Sequence, residues 1–173
     1  MEFLHVGMKV NDIHKSMAMF RTLFGITWEP VKEYSLTDIT LMGMITPCTT
    51  LVTHGKTASG FEIEMIQVTA GRTADNLVVG DGEGLTHFGF LVEDVGAAVA
   101  KAGKWGLRSV CEYNSEYVDF AFVEGPSLGG PLAQLIHFKQ SRKTHFPPAH
   151  TAGSPHPQGA RRKRKRSSTS LVS

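Results

Sequence analysis

His5-Val-Gly-Met-Lys-Val-Asn-Asp-Ile13 returns later in the chain as His87-Phe-Gly-Phe-Leu-Val-Glu-Asp-Val95. Both phrases open on histidine, carry glycine two places on and close on Val-x-Asp-aliphatic. The repeat predicts a duplicated module in which each copy delivers one imidazole to a shared site. Helical patterns follow both phrases: Ile13, Met17, Phe20 and Phe24 in the first, Val95, Ala98, Val99 and Ala102 in the second. These are the 3, 4 and 7 spacings of one buried face. Asn11 or Asp12, and Asp94, supply side-chain oxygens for the helix starts, and Gly25 and Gly106 suit left-handed stops. Further on, Phe61-Glu-Ile-Glu-Met-Ile-Gln67 aligns with Pro131-Leu-Ala-Gln-Leu-Ile-His137, so Glu64 corresponds to Gln134.

Strand patterns run over Glu2 to Val10, Ile26 to Leu36, Ile39 to Met44 continuing irregularly into Thr49 to His54, and Phe61 to Val68. The second half repeats them over Leu85 to Leu91, Ser109 to Tyr113, Val118 to Glu124 and Leu132 to Phe138. Thr69 to Gly84, rich in Gly, Asp and Asn, reads as a linker or a loop near the site. The expected organisation is one domain over 1–140, with modules of about 1–70 and 84–140, and a tail over 141–173.

The formal net charge of +2 conceals a division. From Ser141 onward there are 8 Lys and Arg and no acid, which leaves 10 cations against 16 acids in the body, a balance of −6. The tail, with its run Arg161-Arg-Lys-Arg-Lys-Arg166 and little that is apolar, is expected to be disordered. Its charge would attract nucleic acid only non-specifically. Cys48 and Cys111 lack metal-ligand spacing and read as buried and reduced. No apolar run approaches the length of a membrane span and no cationic, apolar leader opens the chain, so a soluble, cytoplasmic protein is expected.

The order His-x-Gly-x-x-Val-x-Asp, a Glu late in the first module, a second His opening the second, and a polar residue after Gly129-Gly130 in the last strand resembles the vicinal oxygen chelate superfamily. That family includes glyoxalase I, methylmalonyl-CoA epimerase, extradiol dioxygenases and bleomycin-resistance binding proteins. The resemblance covers Met1 to about Phe138. It implies an α+β fold in which two βαβββ modules curl a mixed sheet into a cup around one divalent metal, and it places the ligands at His5, Glu64, His87 and Gln134. Homodimers are common in the family, and one is expected here. Glyoxalase I enzymes usually carry Glu where this chain has Gln134. Methylmalonyl-CoA epimerase uses the same ligand types with Gln and Glu exchanged between the halves.

The residues themselves support such a site. Each of the four lies in a strand pattern with an apolar background, where a stray imidazole or carboxylate is costly unless paired or bound to a cation. Glu62 shares the face of Glu64 by strand alternation, and the register against Gln134 selects Glu64. His14 on the helix, His54 beside the turn-like Gly55-Lys56-Thr57, and His137, opposite to Gln134, are not expected to be ligands. Imidazole with carboxylate and amide oxygen suits Zn²⁺, Co²⁺, Ni²⁺, Fe²⁺ or Mn²⁺ and does not by itself choose among them; Zn²⁺ is slightly favoured. A small substrate chelated through adjacent oxygens would then lose a proton beside its carbonyl, with Glu64 as base. Glu33 and Glu112, in the matching phrases Val31-Lys-Glu-Tyr34 and Val110-Cys-Glu-Tyr113, are candidates for a second acid or base, and Glu112 is assigned that role. The expected activity is a metal-dependent epimerase or isomerase acting on a keto-sugar, keto-cyclitol or acyl-CoA type of substrate. The alternatives are a glyoxalase I-like lyase, an extradiol dioxygenase, or a metal-free drug-binding protein.

Overall fold

The computed structural model describes residues 1–139, so the reading of a disordered basic tail lies outside the described residues. In chain order the elements are β1 (Glu2–Lys9), α1 (Ile13–Phe24), β2 (Thr27–Trp28), β3 (Lys32–Leu36), β4 (Thr40–Leu41), β5 (Met44–Ile45), β6 (Cys48–Lys56) and β7 (Glu62–Ala70). Then come α2 (Asp75–Val79), β8 (Gly84–Leu91), α3 (Val95–Gly103), β9 (Arg108–Asn114), β10 (Val118–Glu124) and β11 (Leu132–Phe138). All eleven strands join one curled mixed sheet in the order β2-β6-β7-β1-β8-β11-β10-β9-β4-β5, with β3 also on β6. The order is symmetric about the β1–β8 seam. β1 is flanked by β7 and then β6, and β8 by β11 and then β10, with both inner neighbours parallel. This is the α+β arrangement of two βαβββ halves.

Asp12, not Asn11, caps α1 by accepting from Lys15 N at 3.0 Å, and Asp94 caps α3 by accepting from Ala97 N at 2.8 Å. Both helices lie on the outer face of the sheet. Met17 and Phe20 pack with Val10, Ile13 and Met65, while Ala98, Val99 and Ala102 cover Val123, Ala133 and Leu135. Phe24, expected on the buried face, is 62% exposed at the last helical position, where its ring meets Phe20 at 5.2 Å. The inner face carries a larger apolar cluster, with Tyr34, Ile39, Cys111, Phe120, Phe122 and Ile136 among its members. Both cysteines are free and buried.

Three segments depart from the strand pattern. The run over 26–36 splits at Glu29-Pro30-Val31, because proline has no N–H for the ladder. The run from Ile39 becomes a hairpin of β4 and β5 turning at Met42-Gly43, both with positive φ, and β4 crosses to pair with β9 of the other half. The segment read as linker or loop contains α2.

The seam explains the repeated phrase. In the antiparallel β1–β8 register His5 faces Gly89 and Gly7 faces His87. A Cβ on Gly7 would overlap the His87 ring, and one on Gly89 would lie 2.5 Å from His5 Nε2. Each copy's glycine therefore makes room for the other copy's imidazole. Gly7→Ala is expected to destabilise the fold by about 1–3 kcal/mol through overpacking. Urea denaturation should show a smaller loss for the same substitution in a His87→Ala background, because the clashing ring is gone. An equal loss in both backgrounds would show that the clash is not the cause.

Candidate metal centre

The register sets up two transverse rows of side chains. His54 pairs with Glu64, Glu64 with Gly7, and Gly7 with His87, so β6, β7, β1 and β8 present one row toward the same face. In the adjacent row His5 pairs with Gly89, and Gly89 with Gln134. Glu64 thus stands to Gly7 as Gln134 stands to Gly89, and the two halves match residue for residue. His54 corresponds in the same way to Phe122, the partner of Gln134 on β10.

Three of the four expected ligands converge closely. His5 Nε2 and His87 Nε2 are 3.2 Å apart, and Glu64 Oε2 lies 3.2 Å from His87 Nε2 and 3.6 Å from His5 Nε2. All three residues are buried. A small dication bonded at about 2.0–2.2 Å leaves roughly 3.0–3.5 Å between neighbouring ligand atoms, so the donor set and its spacing fit such an ion. Gln134 is buried on the same cavity wall as Glu64, and its Oε1 has no hydrogen-bond partner among the described residues. An orphaned buried oxygen of this kind costs about 1–3 kcal/mol, a cost that coordination would remove.

Two residues outside the expected set belong to the cluster. His54 lies within β6 rather than at a turn, since β6 continues through Lys56 and the chain reverses only over Thr57–Phe61. Its Nε2 is 3.1 Å from Glu64 Oε1, and with His5 and Glu62 it forms a second group of ligand atoms all within 4.8 Å of one another. Glu62 itself is ion-paired with Lys56 at 3.5 Å. The other addition is Asp75, the first residue of α2. Its Oδ1 lies 3.1 Å from His87 Nδ1 and accepts from Thr86 Oγ1 at 2.6 Å, while its Oδ2 accepts from Thr73 Oγ1 at 2.9 Å. A carboxylate on Nδ1 turns the imidazole so that Nε2 faces the centre. The available sequence signal was Thr86, a polar residue before His87 where the first copy has Leu4.

Glu112 is not brought into the cluster. It is exposed on β9, beside Cys111, which lines the cavity that Glu64 lines; alternation therefore sends Glu112 to the opposite face. There it borders a separate open cavity of about 620 Å³, shared with Asp119 and His137. Glu33 is exposed on β3. His14 is exposed on α1, and His137 Nδ1 is 3.1 Å from Val92 O.

Electrostatics divide the two histidines. Burial lowers the His87 imidazole, but hydrogen bonds to Asp75 and Glu64 outweigh it and raise its pKa to about 9. Burial takes His5 down to about 4, against the pull of Glu64 and assisted by His87 and His54. Burial alone would raise Glu64, yet the imidazoles of His5, His54 and His87 hold its carboxyl well below the usual range. Asp75 is likewise held low, its burial opposed chiefly by His87. At neutral pH the group therefore holds two carboxylates and one imidazolium. Exchanging that proton for a dication would balance the two negative charges.

The chain matches the family described as the Glyoxalase/Bleomycin resistance protein/Dioxygenase superfamily over residues 4–122, a span that includes His5, His54, Glu64, Asp75 and His87. No curated protein sequence matches it. Among solved structures it is similar to methylmalonyl-CoA epimerase from Mycobacterium tuberculosis, at 16% identity and a TM-score of 0.51 over 79% of this chain and 87% of that one. A hypothetical protein from Bacillus halodurans C-125 aligns at 14% identity with a TM-score of 0.55, over 80% of this chain and 95% of that one. A mutant 4-hydroxymandelate synthase from Streptomyces coelicolor gives 15% and 0.51, over 81% of this chain and 49% of that one. At these identities the likeness is one of fold.

Two outcomes are expected from metal titrations. Asp75→Asn should weaken Zn²⁺ binding roughly 10- to 100-fold, as loss of a carboxylate behind a histidine ligand does. Because His87 carries its proton up to about pH 9, Zn²⁺ binding at pH 7.5 should release about one proton, and affinity should rise with pH toward 9. Calorimetry in buffers of different ionisation enthalpy counts that proton, and a count near zero would contradict the assignment.

Proposed function

Since the chain belongs to the glyoxalase/bleomycin resistance protein/dioxygenase superfamily, we propose that it is a divalent-metal-dependent isomerase or epimerase that moves a proton on the carbon next to a carbonyl of a small oxygenated substrate. The observation that carries this reading is the convergence of His5 Nε2, His87 Nε2 and Glu64 Oε2 in a buried cup. His5, Glu64, His87 and Gln134 would hold the ion, with zinc foremost. A divalent ion bound there supplies Lewis acidity, which makes the carbon–hydrogen bond beside a chelated carbonyl acidic.

The chain's own groups supply the rest. Glu64 is ionised at neutral pH, the form that accepts a proton, and His54 at its Oε1 fixes its orientation. Asp75, the other carboxylate on the cavity wall, is committed to His87, Thr73 and Thr86. With Glu33 and Glu112 exposed, the site favours a one-base transfer in which Glu64 removes the proton and returns it on the same face to the adjacent carbon, which suits an isomerase; inversion at one carbon needs a proton donor on the opposite face. Leu36, Ile39, Val52, Phe120 and Phe122 line the cavity and limit competing water.

A second reading has its own support, because two histidines and one carboxylate are also the ligand pattern of non-haem Fe²⁺ oxygenases. The Zn²⁺- or Co²⁺-loaded protein, incubated with dihydroxyacetone in D₂O, should incorporate deuterium at the carbon next to the carbonyl. Glu64→Gln should slow incorporation by at least about 100-fold while metal content is checked in parallel. Oxygen consumption by the Fe²⁺-loaded protein with catechol, and no deuterium incorporation, would replace the isomerase by the dioxygenase.

A further inference from the structure

The cavity beside Glu64 and Gln134 bears on the kind of molecule that enters it. Its volume is about 70 Å³, roughly half of the 150 Å³ of an apolar cavity that admits benzene. Much of its wall is aliphatic and aromatic, with Ile39, Phe120, Phe122 and Ile136 among its residues, and its polar members are Tyr34, Thr50, Glu64, Thr73, Asp75 and Gln134. No lysine or arginine lines it.

The two halves of the cup differ in a way their register makes explicit. Where the first half pairs His54 with Glu64, the second pairs Phe122 with Gln134. The Phe122 ring stands edge-on to His87 at 5.1 Å and to Phe120 at 5.8 Å, so it forms an apolar wall directly against the centre. At this pair of equivalent positions the first half offers an imidazole and the second a hydrocarbon surface.

Resting on the reading of a metal-chelating site, we propose that this cavity selects an uncharged substrate whose paired oxygens carry a short alkyl substituent, smaller than a phenyl ring, lodged against Phe122. A carboxylate or phosphate on that substituent would be buried against Phe120, Phe122 and Ile136, with no lysine or arginine on the cavity wall to pair it, which is strongly unfavourable. A phenyl-sized group would exceed the space. Anionic carrier groups are therefore not held in this cavity, and Phe122 sets the length and bulk of what is.

Hydroxamates, which chelate metals through two adjacent oxygens, test this directly on the full-length Co²⁺-loaded protein by titration of its visible absorption. Butyrohydroxamate is expected to bind at least about tenfold more tightly than succinic monohydroxamate, of the same length but ending in a carboxylate, and than benzohydroxamate. Phe122→Ala should narrow the gap between the butyro and benzo probes. Phe122→Leu, which keeps more of the packing, should narrow it in the same direction if the alanine variant is poorly folded. Equal or tighter binding of the succinic or benzo probe to the native protein would overturn the proposal while leaving the metal site standing. Failure of Co²⁺ to bind, or of every probe to perturb its spectrum, would overturn the proposal together with the metal reading beneath it.

Discussion

The antiparallel pairing of β1 with β8 is the constraint on which the rest of the architecture depends. It sets His5 against Gly89 and His87 against Gly7, and the space above each glycine is filled by the opposing ring. A one-residue slip would move every inward side chain to the helix-covered face. The parallel partners β7 and β11 are tied to the same glycines, and through them Glu64 and Gln134 reach the cup. The repeated His-x-Gly phrase is therefore self-complementary: each half supplies both the ring and the room for the other's ring.

A cluster of this kind is expensive to bury. His5, His87, Glu64 and Asp75 all lie in the interior, where unpaired ionised groups cost several kcal/mol each. The chain offsets the cost by arranging the charges so that each imidazole or carboxylate has a partner of complementary character. Asp75 has the most elaborate support, with Thr73, Thr86 and His87 around one carboxylate. Among the described residues Gln134, an acceptor-bearing residue at the register position equivalent to Glu64, keeps a buried oxygen without a hydrogen-bond partner, as do Glu64 at Oε2 and His5 at Nδ1. A divalent cation held there would compensate the buried carboxylates and give the orphaned amide oxygen a partner.

Much of this was legible in the sequence because it was written twice. The duplicated phrase marked the two histidines, the capping aspartates and the helices behind them, and alignment of the last strands gave the equivalence of Glu64 and Gln134 that the register displays. What occurs once was harder to read. Asp75 sits in a polar segment with no counterpart in the other half, and its role depends on a contact across sequence that no local pattern encodes. His54 was set aside because Gly55-Lys56 resembles a turn, although the ladder with β7 extends through both residues. Glu112 failed for the opposite reason. Val31-Lys-Glu-Tyr34 and Val110-Cys-Glu-Tyr113 do mark equivalent strands, but what the repeat preserves is the inward tyrosine; the glutamate beside it is the solvent-facing member of the alternation.

We propose that the two seam histidines and Glu64 form one cation site. X-ray absorption on protein loaded with a single equivalent of Zn²⁺, compared with His5→Ala and His87→Ala, tests it most directly. One tightly held ion per chain is expected, with two imidazole nitrogens and oxygen donors around it, and one imidazole fewer with weakened binding in each variant. No stoichiometric ion in the native protein, or an ion whose imidazole count is unchanged when either histidine is removed, would contradict it.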